Sequence, residues 1–188
     1  MMIYDSPDAL KIGKLIVAVM SSERDLMHEV EERLHQRFGG CDLRGDVFSF
    51  DHFSFYYAKE MGYGLQKRFL SFDEMIRLDT LASIKLYTNG IEQEYARNGC
   101  RRVNIDPGYL THAQMVLATT KDYSHRIYLG KGIHAELTYI ISKHGFRSLE
   151  WTYPDYREEW AKAFFLNVRK MYLQQMRESR ERQFPQSV

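Results

Sequence analysis

Cysteine is nearly missing from this chain: Cys41 and Cys100 are the only two among 188 residues. A disulfide scaffold needs more of them in a shorter chain, and a zinc knuckle needs closely spaced pairs. Both are therefore read as free thiols of a reducing compartment. Long hydrophobic runs are absent as well. The run Leu15–Met20 (LIVAVM) has six residues, too few for a secretory core region and far too few for a membrane span. The expected location is the cytoplasm, without a membrane partner. An excess of charge of one sign is also lacking, since Lys+Arg 26 against Asp+Glu 25 leaves +1. No overall field draws in nucleic acid or an anionic membrane. The 13 tyrosines offer stacking surface, but without an RNA motif they do not make nucleic acid a partner.

Several signature motifs are missing too. The phosphate loop G-x-x-x-x-G-K-[ST] does not occur: Gly13-Lys14 runs into Leu15, and Gly130-Lys131 into Gly132. Neither H-E-x-x-H nor G-x-S-x-G is found, so zinc protease and α/β-hydrolase chemistry lack support. Residues 130–135 (GKGIHA) do satisfy G-x-G-x-x-A, with Glu150 about twenty residues on. That fingerprint requires a helix next, whereas Glu136–Ile141 (ELTYII) favours a strand, so a glycine-rich hairpin bend is the preferred reading. His28, Glu32 and His35 have metal-ligand spacing on a helix, opposite its apolar stripe, and read as a solvated face.

What the sequence does contain is one ordinary globular domain, with 44% hydrophobic and 27% charged residues. A loose N-terminal arm is expected over 1–13, a single α+β domain over 14–176 and a charged tail over 177–188. Leu15–Met20 reads as a buried strand. Leu26, Val30, Leu34 and Phe38 then mark one stripe of a helix, with Ser22 and Asp25 in capping-box register and Gly39-Gly40 as its stop. Val47–Tyr57 (VFSFDHFSFYY) alternates like one strand or two, and Lys67–Phe72 like another. Asp79 is placed as the cap of a second helix, with Leu81, Ile84, Thr88, Ile91 and Tyr95 on one face and Gly90 costing about 1 kcal/mol inside it. Cys100–Asp106 reads as a strand ended by a Pro107-Gly108 turn. Further strands follow at Met115–Thr120, Arg126–Leu129, Glu136–Ile141 and, past a His144-Gly145 turn, Phe146–Trp151. Asp155, the expected N-cap, opens a long C-terminal helix whose apolar face is assigned to Trp160, Phe164, Val168 and Met171. The predicted architecture is a mixed, mainly antiparallel sheet with two packed helices, a ferredoxin-like split βαβ core and that C-terminal helix.

The stretch from Arg101 to Asp155 is dense in groups that bind anions. Arg101, Arg102, Lys121, His125 and Arg126 supply cations, Thr119 and Thr120 hydroxyls, and Gly108, Gly130 and Gly132 flexible backbone. Such donors, if they converge, bind a phosphorylated or nucleotide small molecule; scattered, they form only a solvated basic rim. Sequence leaves both open. Asp106 and Glu136 would hold Mg²⁺ against the phosphate, or act as base, and His125 is the acid/base candidate because histidine alone titrates near neutrality unaided. Lys85, Asn89 and Glu92 flank the apolar face of the second helix and point toward the sheet. Trp151, Tyr153 and Tyr156 would stack a base or pack the core. The rival function is a scaffold module, acting as a homodimer or on a protein partner through the aromatic surface around Phe48–Tyr57 and the terminal helix.

Seven segments look familiar together: KLIVAVMSS (14–22), FYYAKEMG (55–62), IKLYTN (84–89), RRVNIDPGYL (101–110), LATTK (117–121), HRIYLGKGI (125–133) and EWTYPDY (150–156). They resemble the prokaryotic domain-of-unknown-function family forty-four sixteen, over about Lys11 to Met176. The resemblance implies that the clustered polar motifs form a shared functional surface, and it implies no activity. A GTP-binding label carried by some members has no phosphate loop to stand on here. The chain departs from the family's pattern at Gly90, where a helix former is usual, and over 51–56.

Overall fold

A computed structural model describes residues 11–143 and 145–183. The backbone of β1 (Ile12–Ser21) is the centre of the molecule. Its residues alternate between two apolar layers, which is why the run from Leu15 to Met20 has no polar face. Leu15, Val17 and Val19 pack toward α1 (Arg24–Phe38) and α3 (Leu81–Glu94); Ile16 and Ala18 pack toward α5 (Glu159–Gln183). Burying each of the larger side chains contributes about 1.5–3 kcal/mol, so both faces of this strand are anchored.

Around it the described residues form a nine-stranded antiparallel sheet. The remaining strands are β2 (Cys41–Arg44), β3 (Phe48–Ser49), β4 (Gln66–Arg77), β5 (Val103–Leu110), β6 (Gln114–Thr119), β7 (Arg126–Gly130), β8 (Ile133–Ser142) and β9 (Gly145–Ser148). The order is β2-β4-β1-β5-β6-β8-β7, with β3 beside β4 and β9 beside β8. The first four of these are the split βαβ core: α1 connects β1 to β2, α3 connects β4 to β5, and each parallel pair has an antiparallel strand between its members. Every pairing is antiparallel, so the sheet is not mixed. Two short helices, α2 (Ala58–Met61) and α4 (Pro154–Arg157), complete the fold.

Several local expectations are corrected. Most of Val47–Tyr57 is not strand: only Phe48–Ser49 pair, and turns leading into α2 occupy the rest, held by Asp51, whose carboxylate accepts from the Gly64 and Leu65 amides (2.7 and 3.2 Å). Glu23, not Ser22, is the N-cap residue of α1 and uses no side-chain cap. Asp79 does not cap α3 but pairs with Arg77 across a 3₁₀ turn, and Thr80 precedes the helix. The buried stripe of α5 is Ala161, Phe165, Val168 and Tyr172, so the helix is rotated from the assigned face; Trp160, 42% exposed, instead lies over Phe48 at 4.5 Å. At the ends, Ile12 and Gly13 already belong to β1, and α5 continues past Met176 to Gln183. Residues 1–10, His144 and 184–188 lie outside the described residues.

Pro107-Gly108 is not a turn either. Both residues lie inside β5, opposite Val17 and Ile16 of β1. A Cβ on Gly108 would sit 2.4 Å from the Val116 carbonyl and 2.7 Å from Leu117 Cδ2, so only glycine lets β6 approach here. The β5–β6 ladder holds from Leu110↔Met115 to Gly108↔Leu117 and then stops at Pro107, which has no N–H to give. Ala118 and Thr119 of β6 continue in register with β8 alone.

Candidate functional site

Where the ladder ends, a cleft of about 500 Å³ opens. Lys85, Asn89 and Glu92 of α3 enter it, as do Asn104 and Asp106 of β5 and Lys67 of β4. From the other side come Glu136 of β8, Arg126 of β7 and the loop carrying Thr120, Lys121, Tyr123 and His125. Its rim is aromatic, with Phe50, Phe53, Tyr56 and Tyr57 on one side and Trp151 and Tyr153 on the other. Of the eight residues singled out in the sequence, seven line this cleft: Arg101, Asp106, Thr120, Lys121, His125, Arg126 and Glu136. Arg102 does not. It pairs with Glu23 beside a separate depression lined by α1 and the end of α3.

Most of the cations in the cleft are already engaged. Lys85 donates to the Ile105 carbonyl (2.7 Å) and to Asp106 Oδ1 (3.0 Å). Arg101 grips Glu60 with two parallel bonds (2.7 and 2.8 Å) and reaches Asn104 Oδ1 (2.8 Å) and Glu92 Oε2 (3.3 Å). Asn104 in turn donates to Asp106 Oδ2 (2.7 Å), closing a network from Glu60 to Lys85. Burial opposes ionisation of Asp106, but the Lys85 and Lys67 ammoniums hold its carboxyl below the usual aspartate range. Burial dominates at Glu92 and raises it, against the pull of Lys85.

Lys67 and Asp155 form a second, fully buried pair at 2.7 Å, with the ammonium boxed by the rings of Phe50, Phe69 and Tyr156 (5.1, 5.6 and 4.8 Å to the centroids). The N-cap role assigned to Asp155 is thereby corrected. Tyr153 occupies that position ahead of α4, with Pro154 at its first turn, and the Asp155 side chain is turned inward. Of the stacking candidates, Tyr156 is core, whereas Trp151 and Tyr153 stand at the cleft.

The third cluster is centred on Glu136, which is 1% exposed. Its Oε2 accepts from Arg126 Nε (2.7 Å) and faces His125 Nε2 (3.3 Å). Arg126 also donates to the Lys121 carbonyl and the Tyr153 hydroxyl, both at 3.0 Å. The His125 ring is stacked between Trp151 (4.8 Å, 14°) and Tyr123 (6.0 Å, 27°), which fixes its plane. The other oxygen, Glu136 Oε1, is buried without a hydrogen-bond partner. Lys121 is exposed, makes no ion pair among the described residues and lies over the Tyr56 ring at 4.1 Å, where its hydrogen bond lowers that phenol from its ordinary value.

The two carboxylates expected to hold Mg²⁺, Asp106 and Glu136, are each engaged by a protein cation. Among the described residues no three His, Cys, Asp or Glu side chains are grouped as a metal ion requires. The spacing of His28, Glu32 and His35 leaves them exposed on α1. The glycines at 130 and 132 flank Lys131 in the bend between β7 and β8, all three with positive φ, so the dinucleotide fingerprint is a hairpin.

Sequence reasoning did not single out Lys67, nor Asn104 and Glu60 as partners of Arg101, although the last two lie within the segments 101–110 and 55–62. Asp155 was visible, but its place ahead of the C-terminal helix, three residues before Glu158, pointed to a cap.

Residues 11–172 match the family described as Domain of unknown function (DUF4416). The chain belongs to that family. The match takes in both the split βαβ core and every cleft residue named above, so the cleft lies within the DUF4416 unit. No curated protein and no solved structure gives a significant match. Among the described residues, no helix is long and apolar enough to cross a membrane.

Proposed function

We propose that the cleft binds a phosphorylated or nucleotide small molecule. The observation that carries this reading is what the cleft leaves unspent: one buried acceptor, Glu136 Oε1, and one unpaired ammonium, Lys121. An orphaned buried carboxylate oxygen forfeits about 1–3 kcal/mol or more, which a ligand N–H or O–H would restore. Lys121, with the Thr119 and Thr120 hydroxyls beside it, suits an anionic group at the mouth, and Trp151 and Tyr153 suit a flat ring. If a reaction follows binding, His125 is the proton carrier, since its Nε2 faces Glu136 and its ring is clamped by stacking.

A thermal-shift screen of phosphorylated metabolites and nucleotides tests this. Ligand at 100-fold over its Kd adds about 2.7 kcal/mol, roughly 5–10 °C at this size. Lys121→Ala should abolish the shift and Arg102→Ala should leave it intact. No shift with any phosphorylated compound at millimolar concentration refutes the reading.

The exposed rings of Phe55 and Tyr63, 67% and 74% accessible, favour a second reading, a non-catalytic module that contacts a protein partner or a second copy. A strict monomer by light scattering that captures no partner counts against it.

A further inference from the structure

Resting on the binding function proposed above, we infer that the ligand carries one phosphate-type group, on a body with an N–H or O–H donor, and not a di- or triphosphate. The argument is a charge count. The lining holds five full cations, Lys67, Lys85, Arg101, Lys121 and Arg126, and four carboxylates, Glu92, Asp106, Glu136 and Asp155, and Glu60 behind Arg101 adds a fifth carboxylate. Four of the cations are ion-paired: Lys67 with Asp155, Lys85 with Asp106, Arg101 with Glu60 and Glu92, and Arg126 with Glu136. Only Lys121 is left to neutralise an incoming anion. A polyphosphate would have to compete with Glu60 for Arg101 or draw Arg126 off Glu136, and the second leaves a buried carboxylate without its arginine, a strongly unfavourable exchange. Among the described residues, no group of three His, Cys, Asp or Glu side chains stands ready to hold a cation against its charge.

The donor requirement has a separate origin. Arg126 and His125 approach only Oε2 of Glu136, a residue of the cleft wall, so Oε1 is the acceptor left over for a ligand. That acceptor accommodates one amino or hydroxyl hydrogen. Lys121 and Glu136 therefore define the two ends of the ligand, an anion near the mouth and a donor at the wall. Nucleoside monophosphates and sugar monophosphates share this chemistry, and Trp151 decides between them, because a base can stack where a sugar gives a weaker contact.

The test is calorimetric titration of the full chain with AMP, ADP, ATP, adenosine, glucose 6-phosphate and inorganic phosphate, each with and without Mg²⁺. A monophosphate is expected to bind at least ten-fold more tightly than the corresponding di- and triphosphate, with no effect of Mg²⁺. Lys121→Met should lower its affinity at least ten-fold, to that of the unphosphorylated parent. Preference for AMP over glucose 6-phosphate identifies the nucleotide source, and the reverse the sugar source; either agrees with the count. Affinity that rises from mono- to triphosphate, or that requires Mg²⁺, overturns the count while leaving phosphate binding in place. Failure of every phosphorylated compound to bind overturns both.

Discussion

Replacing Asp155 by Asn separates two roles for that residue that differ several-fold in energy. As a helix cap, Asp155 would be exchanged for an equally good cap, and the substitution would be close to silent. In the structure it instead neutralises Lys67, with the two side chains 1% and 7% exposed and the charged atoms 2.7 Å apart. Removing one member of a buried pair costs about 3–5 kcal/mol because the other is stranded. The amide oxygen of Asn still accepts from the ammonium, and the rings of Phe50, Phe69 and Tyr156 still surround it, so the lower end applies. The expected loss is about 3 kcal/mol, or roughly 6–12 °C in Tm for a domain of this size. Urea and thermal unfolding of Asp155→Asn measure it directly. Combining Asp155→Asn with Lys67→Met removes both charges, and this double variant should be more stable than Asp155→Asn alone. A change within 0.5 kcal/mol for the single variant, or simple additivity in the double, would refute the buried-pair account.

Other substitutions probe the scaffold. Gly90→Ala should stabilise the protein by about 1 kcal/mol, since Gly90 sits inside α3 with open space where a Cβ would go. Gly108→Ala should destabilise it by about 3 kcal/mol in the same unfolding assay, because the added carbon meets the Val116 backbone. Acid should weaken the fold through Asp106. Its folded carboxyl lies below the unfolded value of about 3.9, so its stabilisation is present above that pH and is lost as pH falls through the folded value. Urea midpoints compared at pH 6 and pH 3 should accordingly show a smaller acid loss in Asp106→Asn than in the natural chain. Glu92, raised by burial, acts in the opposite sense, its contribution being lost as pH rises through its folded value.

Much of the fold was legible because its periodicities are strong. The Leu26-Val30-Leu34-Phe38 stripe is buried as read, and the order of strands and helices already implied the split core. The failures share a cause, which is that local signals were overridden by tertiary contacts. Pro107-Gly108 carries the chemistry of a turn, yet β1 holds it in an extended strand on one side while its missing N–H ends the ladder on the other. Val47–Tyr57 has the alternation of a strand, but its aromatics are spent on a rim: Phe50 and Tyr57 pack together at 5.9 Å, and Tyr56 and Tyr57 stand beside Lys121. Trp160 and Phe164 set the apparent stripe of α5 by their size, whereas contact with the sheet selects Ala161 and Phe165, one residue further on.

The cleft was legible as an inventory and illegible as an electrostatic object. Residue types from Arg101 to Glu136 announced cations and carboxylates, and the structure brings seven of the chosen eight to one place. Read as a list, these side chains look like a strongly basic anion grip. Paired in space they nearly cancel, because each arginine that seemed free faces a glutamate from another element: Glu60 of α2 for Arg101, Glu136 of β8 for Arg126. Pairing depends on strand register and helix placement, neither of which local sequence encodes, and it reverses the chemical inference. On the binding function proposed above, a grip of free cations would favour polyphosphates, whereas a cleft with one cation and one acceptor to spare would favour a small, singly phosphorylated molecule. Specificity here would come from the ends of the ligand, so substitutions at Lys121 and Glu136 should change which molecule binds more than whether the protein folds.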